Sequence, residues 1–329
     1  MMRILSLIKL VHNENVKIIY QFKTIVMLIL LTALVGGCAV FSNTETNHDW
    51  RKNAREQIER AESNKEKAIK EIDENREDEK KRKINEVNLS IYEDNLKILN
   101  YSIERNIPYG VQTTWKFAYD AQIFIGLIIV FMVIQTANII ANEYSFGTIK
   151  QLMIRPFKRW KILLSKYLTI VVISTGFLLF LFAISFGVGY IAFSGNGQGS
   201  VELVLNSVGE VVERNVMEYT LTAYLFGLIE IVLLTSLSFM FAVLFKNVTI
   251  SITSSIVLWL GGSVANNFLA KYSWFRFLLF PHLNLKQYLP GQIPIIEGIT
   301  ITFSIFILFL YFLIFITTAL IVFSKRDIY

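Results

Sequence analysis

Six long apolar runs dominate the chain, near Ile25–Phe41, Phe117–Ala141, Tyr167–Phe193, Leu221–Phe245, Val248–Leu269 and Ile299–Phe323. A helix crosses the hydrocarbon of a bilayer with about 20 apolar residues, so the pattern predicts six transmembrane helices. The first run is short and needs thickness matching or a snorkelling neighbour such as Lys23. The 24 residues ahead of it hold a helix-patterned stretch of their own.

The polar segment 42–116 has a different period. Ala54, Ile58, Ala61, Ala68 and Ile72 keep a three-to-four spacing, which predicts a helix with a thin apolar seam. Alternating Glu and Lys on its other faces supply i,i+4 pairs. A second helix is expected from about Val87 to Arg105, with Ile91, Leu96, Leu99 and Ile103, ended by Pro108. These two read as a protruding helical hairpin; a solvated, partly disordered stalk is the other reading. From His48 to Arg105 there are 14 basic and 15 acidic residues, a balance that argues against a nucleic-acid or anionic-lipid patch.

Composition agrees with the membrane class. The 329 residues are 53% hydrophobic and 18% charged, with mean hydropathy +0.48. The stretch "LVGGC", Leu34 to Cys38, is similar to a lipoprotein cleavage box around the single cysteine. A signal peptide has only a short basic start before its apolar core, so an uncleaved span is expected. With the N-terminus inside, short inner segments carry 13 Lys or Arg and short outer loops carry 4. The positive-inside rule therefore places both termini in the cytoplasm and segment 42–116 outside the cell.

Several chemistries are missing. The chain has no G-x-x-x-x-G-K-[ST] phosphate loop, and "SGNGQ", Ser194 to Gln198, reads as a Gly-rich turn. His12, His48 and His282 lie on both sides of the membrane, so no metal spacing arises. An enzyme is not expected.

Positive charge collects between the second and third runs. Ala141 to Lys166 holds six Lys or Arg and one acid, Glu143. Phe146, Ile149, Met153, Phe157 and Trp160 form one apolar stripe at helical spacing, with Lys150, Arg155, Lys158 and Lys161 on other faces. Gly147 permits a sharp turn after the second span, and Pro156 should break the helix. A short amphipathic helix at the inner mouth results. It suits either a membrane-surface helix or a peg seated in a groove of a partner protein.

The residues "NEYSFGTIKQLMIRPFKRWKILLSKYL" resemble the cytoplasmic loop of type-2 ABC exporter permeases of the bacterial bacitracin, lantibiotic and sodium export group. Glu143, Gly147, Thr148, Leu152, Pro156, Arg159 and Lys166 follow that family's order. Leu7 to Thr24, with Glu14 and Lys17, is similar to the amphipathic elbow helix before the first span in the same group. The resemblance implies a coupling helix over 143–160, with Phe146 on its apolar face, that contacts a separate cytoplasmic ATPase. It also implies dimerisation with a second permease copy, and ATP and Mg bound by the partner chain only. The expected organisation is an elbow at 1–24, a first span at 25–41, an extracellular hairpin at 42–116 and a five-span domain at 117–329.

Polar groups inside the spans are the remaining candidates. Glu230, near the middle of the fourth span, must be paired, protonated or facing a wet path. One reading is a neutral Glu230 bonded to Ser251, Thr253, Ser254 or Ser255; the other is a transport role. Gln135 and Asn138 are weaker candidates of the same kind, and Gly261 with Gly262 allows close helix contact in the fifth span. Lys271 to Pro294 is aromatic-rich, holds three of the five prolines and reads as an interfacial or re-entrant element. By resemblance, such an element gates the outer exit. The expected function is an exporter permease in a bacterial plasma membrane, its cargo a membrane-active peptide or other amphiphile. A sodium-type ion exporter and a membrane-anchored sensor or scaffold are the alternatives.

Overall fold

The apolar runs become helices long enough to cross a bilayer. The computed structural model describes residues 2–44, 50–74, 78–145, 159–193, 201–206, 208–292, 294–296 and 298–325. In it α1 (Met2–Ile19) leads into α2 (Phe22–Thr44), followed by the polar pair α3 (Trp50–Glu74) and α4 (Glu79–Arg105). The second span is built from α5 (Thr114–Asp120) and α6 (Ile125–Ser145), joined by a 3-10 turn over Ala121–Phe124. Next come α7 (Arg159–Phe193), strands β1 (Val201–Leu205) and β2 (Val211–Asn215), and α8 (Val216–Phe245). The chain closes with α9 (Val248–Leu269), a short α10 (Phe280–Leu283) and α11 (Ile301–Lys325). Six segments are long and apolar enough to cross a membrane. The protein is an all-α integral membrane protein carrying one small β-ribbon.

Helix ends differ from the ends of the apolar runs. The first span occupies 22–44 where 25–41 was expected, and the third begins at Arg159 ahead of the expected Tyr167. Backbone hydrogen bonds continue into polar residues until a cap stops them. At the start of α8 that cap is Asn215, whose side chain accepts from the Met217 and Glu218 amides.

The fourth span, α8, packs against α6, α7, α9 and α11 and buries residues all round its circumference. In α2 a single stripe of Thr24, Met27, Leu31, Val35 and Ala39 is buried. Its remaining apolar positions, such as Ile29 and Phe41, face outward. Lipid is as apolar as these side chains, so they need no protein cover. Hydroxyls inside the spans bond to carbonyls of their own helix, as Thr136 does to Met132 and Ser174 to Ile170. No water is needed to satisfy them at that depth.

The polar segment forms the expected hairpin. Arg51 Nη2 donates to Asn106 Oδ1 (2.6 Å) at its root, and Lys65 meets Glu93 (2.9 Å) midway, so the two helices run antiparallel. The ion pair is exposed and contributes only about 0.2–1 kcal/mol. Ala54, Ala61 and Ala68, buried at seven-residue steps, let α4 approach closely. Asp78 caps α4 at its start; at its end Asn106 takes a left-handed conformation (φ 57°) before Pro108. The second helix thus begins at Glu79, ahead of the expected Val87. Of the apolar positions expected on it, Ile91 is 51% exposed while Leu99 is buried, together with Ile98 and Ser102. The alanine face of α3 sets the rotation of α4, which its own spacing left open.

The ribbon is unforeseen. Strands β1 and β2 pair antiparallel, with Val201 opposite Asn215 and Leu205 opposite Val211. The Gly-rich turn read at 194–198 lies outside the described residues. So do Phe146, Gly147, Thr148, Leu152 and Pro156 of the expected coupling helix.

Candidate functional site

Three charged side chains converge where α1, α6 and α7 meet. Helix α1 turns Leu7, Leu10, Val11, Glu14, Asn15 and Ile18 inward while Lys9, His12, Asn13 and Lys17 stay exposed. Glu14 is therefore an acid within an apolar face. Thr24 Oγ1 donates to Ile18 O (2.7 Å) and closes the turn into α2, and Thr169 Oγ1 of α7 donates to Val11 O (3.4 Å). These bonds press α1 onto the start of the third span.

Lys166 of α7 is 4% exposed. Its ammonium lies 2.5 Å from Glu143 Oε1 at the end of α6 and 3.8 Å from Glu14 Oε1. Lys17 also acts on the Glu143 charge. A buried ammonium is tolerated only when paired, and here two carboxylates from two other helices provide the pairing. In sequence the cluster brackets residues 146–158, with Glu143 before them and Lys166 in the second turn of α7 after them. Arg159 opens α7 beside it and is exposed.

Glu230 lies midway along α8 and is half-buried. Trp259 of α9 and the positive charge of Lys286 both act on its carboxylate. Lys286 belongs to a 3-10 turn over Leu285–Tyr288, so the aromatic-rich segment folds back into the bundle as a re-entrant element. Burial pulls the Lys286 ammonium below its usual range and the Glu230 carboxylate opposes that shift. The expected serine partners bond within α9: Ser251 Oγ to Asn247 O and Ser255 Oγ to Ser251 O, both 2.7 Å. Gln135 donates to Gln21 (3.4 Å) in the α1–α2 turn, and Asn138 accepts from Asn142 (3.3 Å). Gly262 takes the Phe280 ring of the same chain, whose nearest carbon lies 1.9 Å from where a Cβ would stand. Of the two glycines expected to allow close helix contact, Gly262 does so toward α10, whereas a Cβ at Gly261 would have no neighbour within 4 Å.

At the hairpin end Arg214 of β2 joins four elements. It donates to Glu202 of β1 through Nε (3.0 Å) and Nη2 (2.5 Å), and to Pro290 O through Nη1 (2.8 Å). Its guanidinium lies 3.6 Å from the Tyr219 ring centroid, and Tyr219 in turn meets the Tyr119 hydroxyl (3.1 Å). Tyr101 of α4 donates to Glu213 (3.1 Å). At Gly291 (φ 84°) the turn passes so close to Val204 that a Cβ would stand 3.1 Å from the valine Cβ. The ribbon thereby bolts the helical hairpin to the re-entrant element.

Residues 87–329 match the family described as "Protein of unknown function (DUF2705)". The chain belongs to the DUF2705 family. It is 35% identical over 329 residues to "Uncharacterized protein YhcI" of Bacillus subtilis (strain 168), covering 98% of this chain and 99% of the relative. It is 30% identical over 200 residues to "Uncharacterized membrane protein YdbK" of the same organism, covering 60% of this chain and 76% of the relative. The match to DUF2705 starts inside α4 and takes in Glu143, Lys166, Glu230, Lys286 and Arg214, but not α1 with Glu14.

In this DUF2705 chain, Glu143 and Lys166 of the sequence candidates meet directly, and Glu14 joins them. Glu230, Gln135 and Asn138 stand apart from that cluster and from one another. Trp259, Lys286, Arg214 and His282 carry contacts that no sequence pattern assigned to them. Lys286 and Arg214 stand in the sequence only as loop charges; their partners lie 56 residues upstream and on neighbouring strands or turns, beyond any local spacing. Among the described residues no group of three or more His, Cys, Asp or Glu is placed to hold a metal ion.

Proposed function

We propose that the chain is the membrane subunit of an ATP-driven exporter of the type-2 ABC kind. It forms the translocation path and couples to a separate cytoplasmic ATPase through loop 146–158. The observation carrying this reading is the buried Glu14–Glu143–Lys166 cluster. It locks the elbow helix and both spans flanking that loop into one unit, so force on the loop reaches three helices together. The basic and apolar sequence of the loop suits a peg on a partner, and the chain has no phosphate loop of its own. A nucleotide and its Mg would then sit on the ATPase, and a second permease copy would complete the path. The proposed setting is a bacterial plasma membrane, with both termini and loop 146–158 on the cytoplasmic side. The proposed cargo is a membrane-active peptide or other amphiphile, in keeping with apolar, aromatic-rich spans. The positive charge of Lys286 already acts on Glu230, with Trp259 beside it, which gives the ion-export reading less support.

The test is co-purification of this chain with a cytoplasmic ABC ATPase from the cells that express it. Glu143→Lys and Phe146→Asp should each reduce the ATPase recovered, or uncouple its ATP hydrolysis from export. Unchanged recovery and unchanged export in both variants would refute the coupling role.

A further inference from the structure

A cavity of about 480 Å³ opens between the end of α9 and the approach to α11. Two cations line it, Lys271 and Arg276, beside Ser273 and the apolar Ile295, Ile296 and Ile299. Neither cation has a carboxylate within ion-pair reach among the described residues; each lies near a ring instead. Lys271 Nζ is 5.2 Å from the Tyr272 centroid, and the Arg276 guanidinium is 5.1 Å from that of Phe277.

The place of the cavity follows from the spans. The fifth ends at Leu269 and the sixth starts at Ile301, so the opening lies at the level where lipid headgroups begin. Tyr272, Trp274 and Phe277 are all exposed there, as in an interfacial aromatic belt.

One wall is held in place by a buried histidine. His282 Nε2 lies 2.7 Å from Arg276 O, and Nδ1 lies 2.7 Å from Ser304 Oγ in the first turn of α11. A carbonyl only accepts, so Nε2 carries the proton and Nδ1 accepts from the serine. Tyr288 then donates to Ser304 Oγ (2.6 Å). The chain Tyr288–Ser304–His282–Arg276 fastens the arginine segment to the sixth span.

We propose that this cavity binds the phosphate of an anionic amphiphile at the membrane surface, with Lys271 and Arg276 as its two contacts. An Arg fork and a Lys point charge suit phosphate oxygens. The isoleucine wall suits the first methylenes of an acyl chain, a contact that free phosphate cannot make. The site does not depend on coupling to an ATPase.

Native mass spectrometry on the full-length, delipidated protein tests this in three arms: dioctanoyl phosphatidylglycerol, dioctanoyl phosphatidylcholine and inorganic phosphate. Wild type should retain one phosphatidylglycerol at least tenfold more tightly than phosphatidylcholine, and should retain no phosphate. The double variant Lys271→Gln with Arg276→Gln should lose at least tenfold in affinity for phosphatidylglycerol. Lys271→Gln alone, at an exposed position, should lose part of it without disturbing the fold. Lys246→Gln, at the far end of α8, should lose none. Glu297, which follows Ile296, lies outside the described residues; Glu297→Gln should leave retention equal or tighter. Equal retention by the double variant, or of phosphatidylcholine by wild type, would overturn the proposal. Phosphate bound as tightly as the lipid would overturn the assignment to an amphiphile.

Discussion

Lys166 has lost nearly all contact with solvent, and its charge is sustained by Glu143 at 2.5 Å and Glu14 at 3.8 Å. Breaking a buried pair by removing one partner costs about 3–5 kcal/mol, because the other charge stays buried. Lys166→Met leaves two carboxylates facing each other and should reach that range. Glu143→Gln leaves Lys166 with Glu14 and should cost less. The double variant should be more stable than the sum of the two losses allows, by roughly 1–3 kcal/mol of coupling. Denaturant unfolding of the purified protein in detergent reads all three. Coupling near zero would show that the contact adds nothing to the packing around it. Glu143 and Lys166 stood out in the sequence through the order of residues around one loop. Their pairing depends on α6 and α7 running side by side, a distance no local spacing encodes.

Among the elements, the segment between the fifth and sixth spans depends most on one titratable group. His282 is fully buried, and burial pushes its imidazole below the ordinary value of 6.5, opposed by its bond to the Arg276 carbonyl. The Phe303 ring and the hydroxyls of Ser304 and Tyr288 surround it and offer no negative charge. An unfolded chain takes up a proton at this position below about pH 6.5 and the folded one resists it. This contribution to stability is therefore complete above that pH and declines as pH falls toward the lower folded value. Thermal unfolding between pH 7.5 and 5 should show a loss that His282→Gln reduces. An identical pH profile in the variant would remove His282 from the account. The hairpin makes a contrast, because the seven-residue steps of Ala54, Ala61 and Ala68 mark its seam along the chain itself. Its second helix, with apolar residues on two faces, was oriented by the partner.

For the whole molecule, the sorting of charges predicts sidedness. The Glu14–Glu143–Lys166 cluster occupies one end of the bundle. The hairpin, the ribbon and the re-entrant element occupy the other, joined through Arg214 and Tyr101. By the positive-inside rule the first end is expected in the cytoplasm. In a Cys38→Ser background, Asn64→Cys on α3 should react with an impermeant maleimide in intact cells. Trp160→Cys, at the start of α7, should react only after lysis. The reverse pattern would invert the membrane topology and with it the proposed contact to a cytoplasmic ATPase.

Six spans, the amphipathic start and the apolar seam through Ala54, Ala61 and Ala68 were determined by the sequence alone; that the polar segment closes as a hairpin was one of two readings it allowed. Each is written in a local period, and in a bilayer a long apolar run has few alternatives to a helix. Where helices end, which face α4 turns inward and what meets Glu230 were decided by tertiary structure. So were the β-ribbon and its Arg214 junction. These features are contacts between segments distant in sequence, selected by packing and by the cost of leaving a buried charge or backbone group without a partner. A lysine counted as a loop charge comes to act on a mid-span glutamate only when the chain folds back to bring them near each other.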